Sequence, residues 1–149
     1  MPKSVKYGYL YGPVLIPEQA WPVAASQVFE NSGGKFVKLD SNDRVDIADS
    51  GDTQIEGWAW TGEWTASATA GADKVQVNVS ELSCYRIIAD ADPANTRGET
   101  CDLIVTSDIQ YADVGESNED VIAILEIDTT DDTVDVRMNP TKLYAAGVA

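Results

Sequence analysis

The sequence predicts an all-β fold, a small β-barrel or β-sandwich with an extended N-terminal arm. Three observations carry this. Short apolar runs rich in Val, Ile and aromatic residues recur about every ten residues, the spacing of small β domains. The clusters between them are Asp, Asn, Ser and Gly, whose side chains bond the local backbone or tolerate positive φ. Lys74 to Val79 alternates strictly, with Val75, Val77 and Val79 on one face and Lys74, Gln76 and Asn78 on the other, as expected of a strand with one wet face.

Residues 1–34 are set apart from the β domain expected over 35–149. Tyr7, Tyr9, Leu10, Tyr11, Val14, Leu15, Ile16 and Trp21 are interleaved with Gly8, Gly12, Pro13, Pro17 and Pro22. Pro removes backbone donors and Gly weakens local order, so neither a long helix nor a central strand is expected. So many large apolar groups must pack on something. Two options stay open, the chain's own domain or a neighbouring subunit or lattice. A short helix is expected within Ala20 to Phe29, interrupted near Pro22, and Asn31 to Gly34 is a loop.

Within the body, strands are expected at Phe36 to Leu39, Val45 to Ala48, Ile55 to Ala59, Lys74 to Val79, Cys84 to Ala89 and Leu103 to Thr106. A final hairpin pairs Val121 to Ile127 with Thr133 to Met138, whose Val134, Val136 and Met138 should face inward. Helix is disfavoured at Val121 to Ile127 by its β-branched content. Asp90 to Glu99 and Tyr111 to Asp120 are expected as long polar loops.

Composition excludes several functions. The chain has 149 residues, enough to bury a core, and a net charge of −15. Few Lys and Arg are present to replace phosphate counterions, so no nucleic acid and no anionic membrane is expected as partner. No apolar run is long enough to span a bilayer and Met1 to Tyr7 has no signal core, which predicts a soluble protein made in the cytoplasm. Residues 1–38 hold four lysines against two glutamates, a net of +2, leaving −17 for the rest. An acidic body with a mildly basic, aromatic leader suits a part that docks by its leader, although chance asymmetry gives the same pattern.

Histidine is absent, so imidazole triads, His metal sites and imidazole acid–base chemistry are excluded. No phosphate-binding glycine motif is present, and 25 acidic residues make carboxylate proximity uninformative. No enzyme and no cofactor is expected. Asp40-Ser-Asn-Asp43, Asp90-Ala-Asp92 and Asp128 to Asp132 offer oxygen ligands, but none matches an EF-hand and Asx turns account for all three, so no metal is expected. Cys84 and Cys101 are too few for a disulfide framework or zinc site; a single bridge between them stays open, with free thiols favoured in a reducing cytoplasm.

Two segments carry a family resemblance. Phe36-Val37, a polar turn, Arg44-Val-Asp-Ile-Ala48, Asp49-Ser-Gly-Asp52 and Ile55-Glu-Gly-Trp-Ala59 follow in an order that resembles the decoration, or cement, proteins on tailed-phage heads. The C-terminal hairpin, Val121 to Pro140, is similar to the closing strands of many such proteins. The Trp-rich section and the two cysteines depart from that pattern. The resemblance implies a virion protein on the outer capsid surface, often a trimer, that staples subunits of the major capsid protein. On that basis Lys3, Lys6, Tyr7, Tyr9, Tyr11, Leu15, Ile16 and Trp21 are the expected capsid or subunit interface. The alternative is a carbohydrate-binding or adhesion module. In a strand, Trp58 and Trp60 would share a face with Glu56, and with Trp64 they offer a ligand platform, a subunit interface or plain core.

Overall fold

A computed structural model describes residues 6–31 and 33–142, and the fold is all-β, with no α-helix among them. The strands in chain order are β1 (Gly8–Tyr11), β2 (Trp21–Pro22), β3 (Val28–Phe29), β4 (Phe36–Leu39), β5 (Val45–Ile47), β6 (Gly57–Ala59) and β7 (Trp64–Thr65). They continue with β8 (Lys74–Val75), β9 (Val77–Asn78), β10 (Cys84–Ile88), β11 (Thr100–Thr106), β12 (Ile109–Asp113), β13 (Ile122–Asp128) and β14 (Thr133–Met138).

A six-stranded antiparallel sheet runs β1-β10-β14-β13-β11-β12. It curls until β12 returns to the end of β10, where Ala89 and Ala112 bridge and the Asp90 N–H donates to the Ala112 carbonyl at 3.0 Å. A four-stranded sheet runs β5-β4-β6-β9, and two ribbons, β2-β8 and β3-β7, complete the fold.

The alternation of side chains along β4 and β6 makes the smaller sheet the middle layer. Phe36 and Trp58 face the larger sheet and join its Tyr85, Ile87, Leu103, Ile122, Ile124, Val134, Val136 and Met138 in one buried cluster. Val37 and Ala59 face the other way and join Val23, Phe29, Val45, Ala66, Val75 and Val77 in a second. Gly57 is required where β6 meets β9, since a Cβ there would collide with the Asn78 carbonyl and the Val77 side chain.

Several expectations are corrected. Tyr111 to Asp120 is not wholly loop, because Ile109–Asp113 is a strand paired with β11, its Gln110 and Ala112 buried. Ser107 and Asp108, both at positive φ, form the two-residue turn that starts it, a hairpin conformation usually signalled by Asn-Gly or Asp-Gly. Ala20 to Phe29 holds no helix. Trp21–Pro22 pairs with β8 and Val28–Phe29 with β7, where the gain is burial of Val23 and Phe29 in the second cluster. Lys74 to Val79 breaks at Gln76, because β8 and β9 pair with different partners; Val75 and Val77 share the second cluster as the alternation required, but Asn78, expected on the wet face, is buried where it bonds Ser83 and Tyr85. Cys84 and Cys101 are buried free thiols.

Buried polar groups join the layers. Gln110 of β12 is 1% exposed; its Oε1 accepts the Phe36 N–H at 2.9 Å while its Nε2 donates to the carbonyls of Phe36 (2.9 Å) and Ala48 (2.8 Å). Replacing Gln110 with Leu strands a buried N–H and a buried carbonyl. We expect Gln110→Leu to lower stability by on the order of 3 kcal/mol in urea unfolding, and a loss under about 1 kcal/mol would show that these bonds do not hold the layers together.

Candidate functional site

Strand β1 forms the edge of the larger sheet and pairs with β10, Tyr9 opposite Tyr85. Beside it opens a cleft of about 370 Å³, within the usual range for small-ligand sites. It is lined by three stretches: Tyr7 to Tyr9 of the leading segment, Asn31, Gly33 and Lys35 before β4, and Trp58 with Trp60 to Gly62 around the end of β6. A relay of rings runs from its mouth into the core. Trp60 meets Tyr9 edge-on at 5.3 Å, Tyr9 meets Tyr85 at 6.1 Å, and Tyr85 stacks on Trp58 at 4.3 Å. Phe36 closes the relay against both Trp58 and Tyr85.

Lys35 is the charged group of this cleft and only 7% exposed. Its Nζ donates to the Thr61 carbonyl and reaches Asn31 Oδ1 at 3.5 Å. No carboxylate pairs with it among the described residues, and burial lowers its pKa from the ordinary lysine value. Gly34 lets the chain pass close to Gln110 just before Lys35, and its N–H donates to the Gln110 carbonyl at 2.9 Å.

A second feature lies at the other end of β1. Tyr11, Val14, Leu15 and Leu82 are between 41% and 61% exposed. The first three sit on a segment that is tied down, and Leu82 lies on the neighbouring turn between β9 and β10. Ser83 Oγ donates to the Pro13 carbonyl (2.6 Å), the Leu15 N–H to Asn78 Oδ1 (3.0 Å), and the Val79 N–H to the Leu15 carbonyl (2.8 Å). Buried Asn78 also donates to Ser83 Oγ and to the Tyr85 hydroxyl, so this segment is braced on the core.

The residues singled out in the sequence are thus distributed. Lys3 lies outside the described residues. Lys6 is exposed, Tyr7 and Tyr9 line the cleft, and Tyr11 and Leu15 belong to the apolar ridge. Ile16 is half-buried, and Trp21 packs against the second core cluster. The three tryptophans separate. Trp58 is 3% exposed in the core, Trp60 is 36% exposed at the cleft, and Trp64 stacks on Phe29 at 5.6 Å against the second cluster. Glu56 does not line the cleft; it is half-buried beside Lys38 and Asp52, and burial raises its pKa. Lys35, Asn31, Thr61, Val14 and Leu82 complete the two features, and the Gly33-Gly34 pair before Lys35 was the available sign of a close backbone approach.

The aspartate clusters are turn devices. Asp40 Oδ1 accepts the N–H groups of Asn42 and Arg44, Asp92 Oδ1 that of Ala94, and Asp128 Oδ1 those of Thr130 and Asp131. No group of three or more His, Cys, Asp or Glu suited to a metal ion occurs among the described residues, and no helix there is long and apolar enough to cross a membrane. Compared with known proteins, the chain matches no family model, no curated protein and no solved structure.

The Asp113 carboxyl is pushed up to about 6, first by burial, then by its hydrogen bond with Asp90 and the charges of Asp90, Glu116 and Asp102. Its folded pKa exceeds the unfolded value, so the stability it adds is full below about pH 4 and is lost as pH rises through about 6. Asp113→Asn, which keeps a donor for Asp90 at every pH, should raise the melting temperature at pH 7.5 and lose that advantage at pH 4. An equal gain at both values would remove Asp113 as the titrating group.

Proposed function

We propose that this chain is a structural virion protein that binds the outer surface of a tailed-phage capsid and cements contacts between subunits of the major capsid protein. The observation that carries this reading is the ridge of Tyr11, Val14, Leu15 and Leu82. It combines large apolar side chains, held out into solvent, with a backbone fixed by Asn78, Ser83 and Val79. A monomer rarely spends rigid apolar surface in this way without a partner. The surrounding body is strongly acidic, which disfavours indiscriminate association and leaves the ridge as the adhesive face. The sequence resemblance supplies the partner and the symmetry: a capsid lattice, with trimers at its three-fold positions. Repetition over a shell makes a modest ridge sufficient, because simultaneous engagement raises effective concentration. Lys6, exposed just ahead of β1, would pair with acidic lattice positions. The role is one of binding, without catalysis.

The test is co-sedimentation with expanded heads of the encoding phage. The native chain should pellet with the heads. A Leu15→Asp, Leu82→Asp double variant should remain in the supernatant while melting within about 2 °C of the native protein, since both side chains are exposed. A native chain that stays in the supernatant, or a variant that still pellets, would overturn the reading.

A further inference from the structure

We infer that the cleft between β1 and the Trp60 to Gly62 turn binds a pyranose ring that carries a carboxylate, as in a uronic acid unit of an acidic polysaccharide. This does not depend on the capsid reading, which uses the ridge and not the cleft.

Lys35 is a nearly buried lysine in a chain of net charge −15, yet no carboxylate is its partner among the described residues. A desolvated cation in a protein is ordinarily met by an anion, because leaving water is costly and hydrogen bonds to neutral oxygens recover only part of that. Here the Nζ has only the Thr61 carbonyl and a long contact to Asn31. Lys35 and both of those residues line the cleft, and of the three ammonium hydrogens only two are engaged. A carboxylate placed there forms a charge-assisted bond in a partly dehydrated setting.

The cleft also divides its lining between apolar rings and polar groups. Trp60 and Tyr9 bring aromatic rings to the lining, and Trp60 remains 36% exposed despite its size. Asn31, Thr61 and the backbone at Gly33 and Gly62 add polar groups to the same lining. A pyranose matches this division, with an apolar C–H face for the rings and a hydroxylated edge for the amide and backbone groups. A flat aromatic acid would leave those polar groups without partners, at a penalty. The cleft is also preorganised. Tyr9 is held by its hydroxyl bond to the Gly12 carbonyl at 2.5 Å, and the backbone flanking Lys35 is held by Gln110 through Gly34 and Phe36.

The experiment titrates the full-length protein with glucuronate, glucose and benzoate, following tryptophan fluorescence and confirming by calorimetry. Glucuronate should bind saturably, at least about tenfold more tightly than glucose, the discrimination expected of one charge-assisted bond. Lys35→Met should reduce glucuronate to the level of glucose, and Trp60→Ala should weaken both sugars. Equal affinity for glucuronate and glucose, no binding of either, or tighter binding of benzoate would overturn the inference. So would a folded Lys35→Met protein that kept its preference for the acid. If that variant fails to fold, the native glucuronate-to-glucose ratio decides alone, a value near one counting against the site.

Discussion

The side chain of Gln110 is the join on which the arrangement of layers depends. Two sheets packed through apolar faces alone can slide, since apolar contact has no direction. Gln110 removes that freedom by acting as a piece of strand. Its amide accepts from the Phe36 N–H and donates to the carbonyls of Phe36 and Ala48, continuing hydrogen bonding from β12 into the smaller sheet. The join sets the height of Phe36 against Trp58 and Tyr85 and fixes residues 33–36, hence the position of Lys35. A buried amide with three good bonds specifies one register, because any shift would strand all of its polar atoms in the interior.

From that join the aromatic groups extend outward. Phe36, Trp58 and Tyr85 form a tight buried triad, with Tyr9 and Trp60 added in turn toward solvent. The cleft is the outer end of this series, where the rings run out of partners. Asn78 plays the corresponding role for the ridge. It links the Tyr85 hydroxyl, Ser83 and the Leu15 N–H, so the core also dictates where Leu15 and Val14 stand. Both surface features therefore rest on the same buried frame, although they carry different chemistry.

The leading segment shows how local and non-local information divide. Its aromatic and apolar content demanded burial, and its Gly and Pro content demanded an extended path; both demands are visible in residues 7 to 22. Which surface would accept it was open, and the fold pairs its described part with its own body at β10, β8 and β7. Tyr9 and Trp21 turned inward while Tyr11, Val14 and Leu15 stayed outside. Alternation alone does not choose between those fates, because it fixes only which residues share a face and not which face meets a partner.

The sequence by itself determined the all-β class, through period-two apolar runs and Asp/Gly turns. It located β4 and β14 to the residue, and the lack of histidine excluded imidazole chemistry from this chain. These are properties of short stretches, decided by sterics and turn hydrogen bonds within a few residues. Tertiary structure decided the rest. It made Trp58 core, Trp60 a cleft wall and Trp64 a partner of Phe29, although all three lie within seven positions. It turned Ile109–Asp113 into a strand through a Ser-Asp turn with no glycine. It also assembled one cleft from residues near 8, 33 and 60. The physical reason is that backbone hydrogen bonds are alike for every strand pair, so partners are chosen by the total burial of the finished fold, to which no local window has access.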